Sequence, residues 1–151
     1  MNRIIMGFVV FLLCITVAGA SVSDCENEVS LISASDLGYK IIPAEMSDSD
    51  IGIKSVYDTI TQGETNWHSK TVSTNIQSMT VNLNWGDTSD SLRLSIYNPN
   101  NYCIGTYYDS ADGTINGRIR IYITNSNGIE KGTWKYKVYG YSVSGTEDYS
   151  I

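Results

Sequence analysis

The chain is poor in the residues that most enzymes and nucleic-acid-binding proteins concentrate. One histidine, His68, three cysteines and two prolines occur among 151 residues. There is no Gly-x-Ser-x-Gly nucleophile element, no His-Glu-x-x-His metal element and no glycine-rich phosphate loop. A lone His68 without a paired serine or cysteine signature reads as a strand-edge residue rather than a base. The chain is therefore expected not to be an enzyme. Basic residues are also few: ten Lys and Arg stand against sixteen Asp and Glu, for a net charge of -6. With no run of Lys or Arg, nucleic acid is excluded as an expected partner. Lys131, Lys135 and Lys137 alternate as the solvated face of a strand does. No Asn-x-Ser/Thr sequon occurs, and no apolar run of spanning length follows residue 20.

What is present begins with an export pattern. Arg3 precedes the apolar stretch Ile4 to Val17, and Ala18-Gly19-Ala20 has the small residues of a signal peptidase site. The apolar stretch is shorter than the roughly 20 residues that span a bilayer. The expected organisation is a signal peptide over 1–20, a polar extended arm over 21–50 and one domain over 51–151. The product is expected to be secreted or at the cell surface, with no membrane span after cleavage. Cys14 leaves with the signal, so Cys25 and Cys103 remain. In an exported protein such a pair predicts a disulfide, here closing a long loop for about 4 kcal/mol on chain entropy.

The body of the chain alternates with a period of two. Met79, Val81, Leu83 and Trp85 share one face, and Thr80, Asn82 and Asn84 share the other. Leu92, Leu94 and Ile96 repeat the pattern, then Ile119, Ile121 and Ile123, then Trp134, Tyr136 and Val138. Weaker strands are read over Asn66–Val72 and Tyr102–Tyr108, with a short edge strand near Tyr39–Pro43. Turn residues punctuate each interval: Gly86 to Asp90, Asn98 to Asn101, Asp109 to Gly113, Asn116-Gly117 and Asn127-Gly128. After Gly140 the apolar phase shifts, which predicts a bulge or bend there. No segment keeps a helical period, so the predicted fold is all-β, an antiparallel, jelly-roll-like β-sandwich.

This series resembles a known family. LNW, a Gly/Asp turn, LRLSIYNPN, IGTYYD, an isoleucine-rich strand and GTWKYKVYG are together similar to the pre-peptidase C-terminal domain, over about Trp67 to Ile151. That domain is a β-sandwich module attached to many secreted peptidases. Its signature of Tyr, Asp or Asn, Pro, any residue and Gly corresponds to Tyr97-Asn98-Pro99-Asn100-Asn101, with Asn101 in the glycine position. The family's leading aspartates fall at Ser91 and Arg93, so its most acidic feature is missing. Its Gly-x-Trp element falls at Gly132-Thr133-Trp134, the tryptophan being a core residue. The resemblance implies a non-catalytic accessory module.

Two groups of residues are candidate sites. Eleven tyrosines are more than a core needs, and Tyr107, Tyr108, Tyr122 and Tyr141 are candidates for contact with an extracellular protein or glycan. Asp87, Asp90, Asp109 and Asp112, with Ser89, would supply oxygen ligands to calcium if the turns that carry them met at one rim. No other cofactor is expected. The carboxylate pairs Asp87/Asp90, Asp109/Asp112 and Glu147/Asp148 otherwise read as surface turns. A structural or self-associating envelope protein is the competing functional class.

Overall fold

Alternation of apolar and polar side chains builds two antiparallel sheets. The computed structural model describes residues 33–43 and 55–151. Among them, in chain order, are strands β1 (Lys40–Pro43), β2 (Tyr57–Thr61), β3 (Thr65–Val72), β4 (Ser78–Asn84), β5 (Ser91–Tyr97), β6 (Cys103–Tyr108), β7 (Arg118–Thr124), β8 (Gly132–Ser142) and β9 (Thr146–Ser150). A short 3-10 turn, Asp109–Asp112, follows β6. One sheet has the order β1-β7-β4-β9-β2 and the other β3-β8-β5-β6. The expected signal peptide over 1–20 and much of the expected arm over 21–50, Cys25 included, lie outside the described residues.

The predicted faces are the observed ones. In the five-stranded sheet Met79 pairs with Ile123, Val81 with Ile121 and Leu83 with Ile119. In the four-stranded sheet Leu94 pairs with Val138 and Ile96 with Tyr136. These inward side chains join one hydrophobic cluster to which both sheets contribute. Leu92, Leu94, Ile96, Ile121, Ile123, Trp134 and Val138 have no exposed surface. Each such aliphatic side chain contributes about 1.5–3 kcal/mol relative to exposure, an upper value because unfolded chains already bury some surface. Trp134 donates its indole N–H to the Glu130 carbonyl at 2.9 Å and meets Tyr39 edge-on, with ring centroids 5.5 Å apart. Tyr39 thereby anchors the residues that lead into β1, an edge strand on which Pro43 withholds no hydrogen bond needed by a further strand.

The phase change near Gly140 is a bulge. Leu92 pairs with Gly140 while the adjacent Ser91 pairs with Ser142, so Tyr141 is the extra residue of β8. Its side chain turns outward and is 51% exposed.

The expected Cys25–Cys103 disulfide has one end outside the described residues, so no cysteine pair stands among them; Cys103 itself is not a free thiol. Cys103 is the one cysteine there, and Cys25 lies outside them. Cys103 is buried at the start of β6, with Sγ 3.8 Å from the Gly105 carbonyl.

Candidate functional site

The outer face of the four-stranded sheet carries the aromatic and basic side chains. Because Trp134, Tyr136 and Val138 point into the core, Thr133, Lys135, Lys137 and Tyr139 must point out. Register places Ser69, Lys135 and Tyr97 in one row, and Trp67, Lys137 and Ser95 in the next. Trp67 on β3 and Tyr97 on β5 reach toward each other across β8, with ring centroids 5.4 Å apart at 46°. Trp67 is 55% exposed. An open depression of about 460 Å³ lies against it, lined by Trp67, His68, Ser69, Thr133 and Lys135.

The loop after β5 completes this end. Asn98 is buried, and its Oδ1 accepts the backbone N–H groups of Asn100 and Tyr102 at 3.1 and 2.8 Å. That tight loop puts Asn101 at φ 64, a left-handed conformation that asparagine tolerates better than other side-chain-bearing residues. Asn101 Oδ1 then accepts a hydrogen bond from Lys135 Nζ at 2.7 Å. Further along β8, the Arg93 guanidinium lies 4.6 Å from the Tyr139 ring centroid. Tyr108 and Tyr141 meet edge-on at 5.1 Å. From Lys135 to Tyr141 the face runs on the order of 20 Å along the strand.

This arrangement offers flat apolar rings, hydroxyls and ammonium groups, and it holds no nucleophile paired with a base. His68 lines the depression, yet its Nε2 is engaged on the inner side by the Tyr149 hydroxyl at 2.7 Å. Desolvation lowers its pKa against the opposing pull of Asp58, so at neutral pH the ring is uncharged.

The predicted tyrosines separate. Tyr107 is corrected from a surface contact to a core residue: it is 5% exposed, and burial pushes its hydroxyl pKa up to about 12. Its ring lies against Gly105, two residues back on the same face, where any Cβ would collide with it. Tyr108 and Tyr122 are half-buried. Tyr122 belongs to the five-stranded sheet, so only Tyr108 and Tyr141 share the face with Trp67. Trp67 and Tyr97 were missed as a pair; the signal was a tryptophan set among polar residues in NWHSKTV.

The predicted calcium carboxylates are already committed to the backbone. Asp87 Oδ1 accepts from the N–H and hydroxyl of Ser89, and Asp112 Oδ1 accepts from the Thr114 N–H. Asp90 is buried and accepts from the Ser144 N–H at 3.0 Å. Asp109 is buried and accepts from the N–H groups of Asn116, Gly117 and Arg118. Among the described residues no group of three or more His, Cys, Asp or Glu side chains could hold a metal ion. Asp90 instead hydrogen-bonds Glu147, whose carboxyl is shallowly covered. Desolvation, that hydrogen bond and the charges of Asp90, Asp87 and Asp148 push its pKa up to about 7.

A second depression, of about 260 Å³, opens beside β4, lined by Val56, Lys70, Asn82, Tyr136 and Ile151 among others. It follows from topology: β4 and β9 pair only at Asn84 and Ser150, and the strands diverge from there. Among the described residues no helix is long and apolar enough to cross a membrane.

No family model matches the chain. An uncharacterized protein of Archaeoglobus fulgidus is 42% identical to it over 50 residues, which is 33% of this chain and 70% of the relative. The chain belongs to the same family as that archaeal protein.

Proposed function

We propose that this is a secreted or cell-surface, non-catalytic binding module, a jelly-roll-like β-sandwich of the pre-peptidase C-terminal kind. It holds an extended extracellular partner, protein or polysaccharide, on the outer face of the four-stranded sheet. The carrying observation is the Trp67–Tyr97 pair, because a half-exposed tryptophan backed by a second ring on a rigid sheet gives contact area at little entropic cost. Support for the sandwich is the single core formed from both sheets. Support for the family resemblance is Asn101, which takes a left-handed conformation where the signature has glycine. Export rests on the pattern of the first twenty residues.

The test is a binding screen of the full chain against immobilised extracellular proteins and polysaccharides, repeated with Trp67→Ala. Binding lost on that substitution supports the reading; binding that survives it places the site elsewhere.

Self-association is the second reading, and the eight-residue edge strand β3 favours it. Lys70, on the inward side of that strand, opposes it, since an inward charge on an edge discourages further pairing. Sedimentation over a wide concentration range decides between a constant monomer and an assembling chain.

A further inference from the structure

We infer that the partner of the Trp67–Tyr97 face is an acidic polysaccharide, a chain of uronic-acid sugars; this rests on the binding-module reading above. The argument begins with how charge divides between the sheets. Strands β3, β5, β6 and β8 contain Lys70, Arg93, Lys135 and Lys137 and not one Asp or Glu. Strands of the other sheet carry both signs, Asp58, Glu147 and Asp148 beside Lys40, Arg118 and Arg120. In a chain of net charge -6, an acid-free sheet does not follow from composition.

The second observation is how the lysine nearest the rings is held. Lys135 Nζ donates to the neutral amide oxygen of Asn101 at 2.7 Å, so its position is set while its charge stays uncompensated. Among the described residues neither Lys135 nor Lys137 lies within ion-pair distance of a carboxylate. Around the rings stand Ser69 and Thr133, both exposed hydroxyls.

Flat ring, hydroxyls and an unneutralised ammonium match a pyranose whose apolar face stacks on the ring and whose carboxylate meets the amine. The open, elongated face suits a chain rather than a single small molecule. A nucleic acid shares stacking and negative charge, but its denser phosphates demand clustered cations and would meet a protein that is acidic overall. An acidic peptide has no rigid apolar face to lay on Trp67.

The test is calorimetric titration of the full chain with polygalacturonate, alginate and hyaluronate, and with their methyl-esterified, uncharged forms. Oligodeoxythymidylate and polyglutamate serve as the other polyanions. The acid sugars are expected to bind and their esters to bind at least about tenfold more weakly, with affinity falling as salt rises. Trp67→Ala is expected to weaken binding about tenfold or more. Lys135→Gln is expected to weaken the acid form about fivefold, leave the ester unchanged and reduce the salt dependence. Both side chains are exposed, and unchanged thermal unfolding verifies the fold.

Equal or tighter binding of the esters overturns the inference in favour of a neutral glycan and leaves the module reading standing. Tighter binding of the oligonucleotide or of polyglutamate through the same residues overturns it in favour of that class. Binding of none of the probes by folded protein overturns the inference, whereas the module reading falls only if the wider screen also fails.

Discussion

His68 Nε2 and the Tyr149 hydroxyl lie 2.7 Å apart, joining an edge strand of one sheet to an interior strand of the other. Asn66 Nδ2 donates to the same hydroxyl at 3.2 Å and to the Thr59 carbonyl at 2.8 Å. Burial pushes the Tyr149 pKa up to about 12, so the phenol keeps its proton and stands between the uncharged His68 ring and Asp58 Oδ2, to which it donates at 3.4 Å. Tyr149→Phe removes the hydroxyl without opening a void and is expected to cost about 1–2 kcal/mol in urea unfolding at pH 7.5. An unchanged midpoint would show that the latch contributes nothing.

Two groups give stability opposite dependences on pH. His68 has a folded pKa below its ordinary value of 6.5, so its contribution is present above about pH 6.5 and lost as pH falls through the lower folded value. Glu147 has a folded pKa of about 7 against an ordinary 4.5; its contribution is complete below 4.5 and lost as pH rises through 7. Glu147→Gln keeps a donor to Asp90 and removes the charge. The variant is therefore expected to melt higher than the parent at pH 8 and equal to it near pH 4. Equal melting at both values would refute the raised pKa.

Asp109 closes the turn into β7 with three backbone N–H groups at 3.1–3.2 Å. Asp109→Ala strands those donors and is expected to destabilise by about 3 kcal/mol. With the turn carboxylates committed in this way, excess calcium and a chelator are expected to leave the melting midpoint of the parent unchanged. A calcium-dependent rise of several degrees would mean that these side chains rearrange to ligate.

Gly140 sits at the bulge of β8, where a Cβ would come within 2.2 Å of the Thr61 carbonyl oxygen. That oxygen belongs to backbone and cannot swing aside. Gly140→Ala is expected to cost more than about 2 kcal/mol by displacing the β2–β3 turn. Chemical unfolding measures it, and a near-neutral result would show that the turn moves freely.

The sequence alone determined which residues face the core, since the period of two is a local property of extended backbone. Ile119, Ile121 and Ile123, or Leu92, Leu94 and Ile96, point inward whatever strands they pair with. It also announced the Gly140 bulge, because one inserted residue inverts the phase that follows. β9 was not legible: TEDYS carries one apolar residue in five, and its strand character comes from pairing with β2. Nor was the fate of the tyrosines, as inward Tyr107 and outward Tyr108 are equally good strand formers. Only tertiary structure decided that Trp67 and Tyr97, 30 positions apart, would meet over β8, and that every acid would be absent from the strands of that sheet. Strand order does this: it selects which distant segments become neighbours, and no local pattern along the chain encodes that choice.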